Sequence, residues 1–342
     1  MIRILIVDDS AFMRKVITDL ITKMPGIEVA GIARNGKNAI EFIEDDTHID
    51  LVLMDVEMPI MDGLEALKII KKTKSIPVVM LSALTNQAVT IEALELGATD
   101  FIEKPTNIME IKDDWIRDFY NKIKGATGAK TVKARNSASI KISSGSKRET
   151  KSITDLKYNL KAIVIGASTG GPRALINLIT ALPANLRVPI IIVQHMPKGF
   201  TATFAERMDN EAKVTVKEAK DGELIQRAVY IAPGDFHMTI ENNRLRLNQT
   251  AKQHGTRPAV DPLFLSAAQQ YGSALIGIIL TGMGKDGTTG LQQIQAKGGY
   301  TIAQDKDSCI VFGMPGNAIE NNVIDEVLSL SEIRAKLSEL VR

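Results

Sequence analysis

The sequence predicts an α/β protein built from two doubly wound parallel-sheet domains, and three observations lead to it. Five short apolar runs alternate with amphipathic stretches before residue 123, and a second such alternation begins at Ala162. A segment of quite different composition lies between them. Strands that alternate with helical patterns make βαβ units, and βαβ units make parallel sheets covered by helices.

In the first half the strand candidates are Ile2–Val7, Ile27–Ile32, Leu51–Met54, Val78–Leu81 and Phe101–Ile102. Helical periodicity falls near 12–23, 37–44, 63–72, 87–96 and 108–123, which completes five βα units. From Gly125 to about Lys157 the chain is Ser, Thr, Gly, Ala and Lys without an aromatic residue. Such a stretch buries too little apolar surface to offset its ordering entropy, so it reads as a flexible linker. The expected organisation is a domain over 1–122, a basic linker over 123–157 and a larger domain over 158–342. In that second domain strands are expected at Ala162–Ile165, Val188–Val193, Lys213–Lys217, Val229–Ala232, Ala274–Leu280 and Tyr300–Ala303, with helices at 172–181, 199–210, 261–271, 287–297 and 331–341. A polar β-hairpin over Thr239–Leu247 turns at Asn242-Asn243.

A chain of 342 residues suits two domains, each able to bury its own core. Its longest apolar runs are strand-sized, far short of the roughly 20 residues that cross a bilayer, and no leader pattern opens the chain. The expectation is a cytoplasmic protein with no membrane insertion. Seven Lys and Arg against one Glu give residues 125–152 a charge of +6, so the rest of a chain whose net charge is +2 carries −4. A mildly acidic body argues against nucleic acid as the principal partner. The linker charge reads first as a solvated face, and second as a weak dock for an acidic partner. Cys309, the single cysteine, sits in an apolar stretch and reads as a buried small hydrophobe.

Asp8 and Asp9 follow the first strand and Asp55 follows the third. Ligands of doubly wound sheets gather at the carboxyl ends of strands, so these acids converge there. Any single such Asp more often caps a helix. Grouped carboxylates repel one another, and Mg2+ relieves the repulsion while keeping waters for an incoming phosphate. Ser82 and Lys104, after the fourth and fifth strands, supply the hydroxyl and ammonium that suit a phosphoryl group. With VDDS at 7–10, MDVEMPIMDG at 54–63, LSA at 81–83 and EKP at 103–105, this half resembles a response-regulator receiver domain. The resemblance implies a five-stranded flavodoxin-like fold, phosphorylation of Asp55 by a histidine kinase, and metal binding by Asp8, Asp9, Asp55 and the main-chain carbonyl of Glu57. It further implies that Ser82, Phe101 and Lys104 transmit the switch.

In the second half Gly166-Ala167-Ser168-Thr169-Gly170-Gly171 joins a strand to a helix that opens with Pro172. Glycines around a serine on such a turn expose the hydroxyl, although G-x-S-x-G alone is a weak signal and a phosphate-binding loop is a fair rival. His195 ends the next strand, which raises it as the base above His48, His237 and His254. Asp286, just after the strand at 274–280, is the candidate to orient the imidazole. The order Ser, His, Asp disfavours the α/β-hydrolase fold. Amides of Met283, in Gly282-Met283-Gly284, and of Thr169 are candidates for an oxyanion hole.

The strings IGASTGGP at 165–172, QHMPKGFT at 194–201, YIAPGDFHM at 230–238, RPAVDPLF at 257–264, LTGMGKDG at 280–287 and FGMPGNAI at 312–319 resemble the chemotaxis protein-glutamate methylesterases, also called receptor glutamine deamidases. Gln226-Arg227 departs from the expected Pro-Gly at a surface turn. The resemblance implies a Rossmann-like esterase domain that needs no cofactor for hydrolysis, and methyl-accepting chemotaxis receptors as substrates. The domain order suggests that the unphosphorylated first half limits access to Ser168. Two other classes remain to be separated from this reading: an output half that only binds a partner or DNA, and a nucleotide-binding enzyme.

Overall fold

The computed structural model describes residues 1–46, 48–105, 111–133 and 157–342. The chain divides into two compact units, Met1–Gly128 and Ala129–Arg342.

In the first unit β1 (Ile2–Val7), β2 (Ile27–Ala33), β3 (Leu51–Asp55), β4 (Val78–Ser82) and β5 (Asp100–Glu103) form a parallel sheet of order β2-β1-β3-β4-β5. Strands β3 and β4 are buried on both faces, so they read as unbroken apolar runs instead of alternations. The crossovers are α1 (Ala11–Ile21), α2 (Gly36–Asp45), α3 (Gly63–Thr73) and α4 (Gln87–Glu95), and α5 (Asp113–Lys133) follows β5. Ser10, Asn35 and Asp62 start the first three helices by accepting the amides of Met13, Asn38 and Glu65. Because β1 lies between β2 and β3, the chain reverses its progression across the sheet there, and a crevice opens at the carboxyl ends of β1 and β3.

One boundary differs from expectation. Helix α5 begins at Asp113 and runs to Lys133, eleven residues into the segment read as linker from 123. Ile123 and Ala126 are fully buried and Thr127 nearly so, a three-to-four-residue spacing that keeps the helix packed on the core. Residues 108–110 of the expected helix and 134–156 of the expected linker lie outside the described residues.

The second unit holds a parallel sheet of order β14-β13-β12-β6-β7-β9-β8. Its strands are β6 (Ala162–Ala167), β7 (Ile190–Gln194), β8 (Val216–Glu218), β9 (Val229–Ile231), β12 (Leu275–Ile279), β13 (Tyr300–Gln304) and β14 (Glu326–Leu328). The helices are α6 (Gly171–Ile179), α7 (Phe200–Glu211), α8 (Val260–Tyr271), α9 (Thr288–Ala296), α10 (Met314–Glu320) and α11 (Leu330–Leu340). Strand β6 is central, with β7 on one side and β12 on the other, so the reversal of this sheet falls at β6. The hairpin β10 (His237–Glu241) and β11 (Arg244–Asn248) turns through Asn242 and Asn243 at φ 49° and 57°, the left-handed pair that a tight hairpin needs.

Two elements were not expected from sequence: α10, a short helix in a Gly- and Pro-rich string, and β14, a half-exposed edge of three residues. Strand β8 also starts three residues late, where the Asp209 carboxylate accepts the Val216 amide. No helix among the described residues is long and apolar enough to cross a membrane.

Candidate active site

The carboxyl ends of β6, β7 and β12 bring three side chains together. Ser168 stands on the turn from β6 into α6, with its amide donating to the Thr281 carbonyl (3.1 Å) and its carbonyl accepting from Gly171 N (2.7 Å). Gly170 allows the turn by taking φ 78°. Gly282 lets the β12–α9 loop run against Ser168, since a Cβ there would lie 2.7 Å from Ser168 Cβ.

His195 follows β7, with Nδ1 3.1 Å from Ser168 Oγ and Nε2 2.8 Å from Asp286 Oδ2. Asp286 is only 1% exposed. Burial opposes its charge, but the hydrogen bond and charge of His195 and the amides of Val260 (2.6 Å) and Asp261 (3.0 Å) outweigh that cost and hold its carboxyl below the usual range. Those two amides open α8, whose N-cap, Ala259, has no side-chain acceptor. Asp286 therefore serves as the cap of a helix from another part of the chain, and the positive end of the helix favours its ionised form. An ionised acceptor favours the proton on Nε2, which makes Nδ1 an acceptor facing Ser168 Oγ. The ring thus presents Nδ1 to the serine and Nε2 to the acid.

The two oxyanion candidates lie beside Ser168. Thr169 follows it in sequence and is 3% exposed, with its carbonyl accepting from Thr281 Oγ1 (3.0 Å). Met283 follows Gly282, and among the described residues its amide has no intramolecular acceptor. Of the other histidines, His237 is a buried core residue bonded to Ala251 O and Ala259 N. His254 pairs with Asp261 (3.1 Å) behind Asp286.

Three contributors escaped the sequence reading: Gln194, the Val260–Asp261 amides, and Thr256, whose hydroxyl lies 3.4 Å from His195 Nε2. Only Gln194 carried a signal, as a polar residue closing an apolar strand. Cys309 is half-buried, its thiol 4.0 Å from Gln304 O and pushed up by burial.

In the first unit Asp8, Asp9 and Asp55 present oxygens within 4.8 Å of one another. Lys104 Nζ lies 2.6 Å from Asp55 Oδ2 and 2.8 Å from Asp8 Oδ2. One ammonium thus bridges two buried carboxylates. Burial first, then the charges of Asp8 and Asp9, push Asp55 up to about 6 against the pull of Lys104. Three crowded carboxylates, two of them buried, facing a single ammonium fit a hard divalent cation. Glu57 is exposed two residues beyond β3, and no hydrogen bond among the described residues ends on its carbonyl. Ser82 Oγ is 2.5 Å from Thr90 Oγ1 on α4 and donates to Ala83 O (3.1 Å). Phe101 is buried beneath the Lys122 ammonium, 5.1 Å from its ring centre.

A receiver-like sheet with its acidic crevice, followed by a sheet bearing a Ser-His-Asp relay, defines a response-regulator hydrolase. Comparison with known proteins agrees: residues 4–115 match the response regulator receiver domain and residues 163–337 match the CheB methylesterase. The chain belongs to the protein-glutamate methylesterase/protein-glutamine glutaminase family. A relative of that name from Pyrococcus abyssi is 43% identical over 97% of this chain and 91% of its own. One from Thermotoga maritima is 43% identical over 99% and 98%. The crystal structure of the Thermotoga maritima CheB methylesterase catalytic domain covers 53% of this chain and 99% of its own, at 49% identity and TM-score 0.51.

Proposed function

We propose that Ser168 is the nucleophile that removes methyl groups from glutamate side chains of methyl-accepting chemotaxis receptors. Ser168 Oγ attacks the γ-carbonyl of the ester as His195 Nδ1 takes its proton, and the tetrahedral oxyanion faces the amides of Met283 and Thr169. The imidazolium, steadied by Asp286, protonates the departing methoxide, and methanol leaves. Water then attacks the acyl-serine by the same route, giving free glutamate and regenerating Ser168. A primary amide passes through an equivalent tetrahedral state and releases ammonia, so receptor glutamines are deamidated by the same groups. The hydrolysis needs no cofactor.

Asp55 is the phosphorylation site, and a chemotaxis histidine kinase in the cytoplasm is the phosphodonor. Asp8, Asp9, Asp55 and the Glu57 carbonyl would hold Mg2+, which would supply charge neutralisation for phosphoryl transfer. Lys104 pairs with the phosphoryl group, and Ser82 and Phe101 carry the change outward. Phosphorylation raises the activity of the Ser168 site.

The observation that carries this reading is the continuous relay of 3.1 Å and 2.8 Å from Ser168 through His195 to Asp286. Methanol release from methylated receptor tests it. Ser168→Ala that stayed as active as the parent chain would overturn it, and would favour a purely binding output half.

A further inference from the structure

Gln194 is the last residue of β7, 2% exposed, and it sits between the two catalytic strand ends. Its carboxamide nitrogen has two hydrogens, and both are used on the catalytic backbone: one goes to the Ser168 carbonyl (3.0 Å) and one to the His195 carbonyl (3.1 Å). The rest of that backbone is tied as well, for His195 N donates to Ala167 O (3.1 Å) and Ser168 N to Thr281 O (3.1 Å). One side chain therefore joins the peptide of the nucleophile to the peptide of the base.

The other end of the same group is left without a partner. Gln194 Oε1 is buried and accepts no hydrogen bond. It is wedged against the first residue of α6, where a Cβ on Gly171 would fall 2.1 Å from it and 2.8 Å from Ala167 Cβ. Gly171 is thus required by close approach, independently of the left-handed turn at Gly170. A buried acceptor with no donor carries an uncompensated desolvation cost. A cost kept at a reaction centre points to a use there.

We propose that Gln194 is a positioning residue of the hydrolysis, a carboxamide clamp that holds Ser168 Oγ and His195 Nδ1 in line for proton transfer. It touches neither substrate nor reacting atoms; it sets the relation between the two backbones that carry them. The proposal rests on the Ser168 reading above. Small errors in such a relation are felt in the chemical step more than in binding.

Two replacements of similar shape separate the clamp from ordinary core packing. Gln194→Met removes the donors and also the orphaned acceptor, whereas Gln194→Glu keeps the outline but offers the carbonyls no amide hydrogens. In the full-length chain, with methylated receptor as substrate, both variants are expected to lose at least tenfold in kcat with KM within about twofold. Labelling of Ser168 by a fluorophosphonate should slow by a similar factor, in variants whose thermal unfolding shows them folded at the assay temperature. A kcat within twofold of the parent in either folded variant overturns the clamp. So does a loss that appears in KM alone, or one that follows the fraction of unfolded protein. Ser168→Ala run alongside keeps the two ideas apart: if it is inactive while the Gln194 variants are normal, only the clamp fails.

Discussion

Asp286 carries the strongest residue-scale prediction because it answers to two partners at once. It orients His195 and caps α8, so Asp286→Asn keeps a hydrogen-bonding group in place but loses the charge that both partners favour. Methanol release should fall by about 10²–10⁴-fold for Asp286→Asn, and by about 10³–10⁶-fold for Ser168→Ala or His195→Ala, measured as kcat on methylated receptor. Asp55 behaves in the opposite electrostatic sense. Its folded pKa of about 6 lies above the ordinary 3.8, so the folded state binds the proton more tightly than the unfolded one. Stability is then full below pH 4 and declines as pH rises through 6. Asp55→Asn should remove that decline and, without divalent cations, stabilise the first unit at pH 7 by about 1–3 kcal/mol. Excess Mg2+ should narrow the gap. Urea denaturation read from the fluorescence of Trp115, the single tryptophan, checks both statements because that residue lies on α5 of the first unit.

Among the elements, α5 shows how packing overrides composition. Its second half is rich in Gly, Ala, Thr and Lys and reads as linker, yet Ile123 and Ala126 belong to the core formed with Phe119, Ile4 and Ile102. Trp115, near its start, stacks on Phe119 and donates to Glu103 O. Ile123→Ala should therefore cost about 2–5 kcal/mol, read in the same urea titration, whereas a true linker residue would cost nothing measurable. Strand β14 and helix α10 escaped notice for the converse reason. Each is too short to show a period, and tertiary neighbours hold each in place: Asp325 accepts Thr301 N and Gly313 N donates to Gly282 O.

For the whole molecule the central expectation is coupling between the two units. Asp55→Asn should leave the basal methylesterase rate within about twofold of the parent and abolish its rise on adding phosphodonor and Mg2+, measured as initial methanol release. A rise that persisted in the variant would separate the regulation from Asp55.

Much of this was legible before any coordinates. Buried parallel strands are unbroken apolar runs, strand-end acids and the glycine-flanked serine announce themselves by position, and the order of motifs names the family. Ser168, His195 and Asp286 stand out as candidates because each lies at or just after a strand end and is chemically suited to the task. Their mutual geometry was not, since 27 residues separate the first two and 91 the last two. Only the folded sheet, with β6 between β7 and β12, decides that they meet, that the imidazole presents Nδ1 to the serine, and that Asp286 is held by the start of α8. Local sequence determines which elements form and which chemistry is available, because both depend on neighbours along the chain. Hydrogen bonds between distant backbones, such as those of Gln194, depend on packing and belong to the tertiary structure alone.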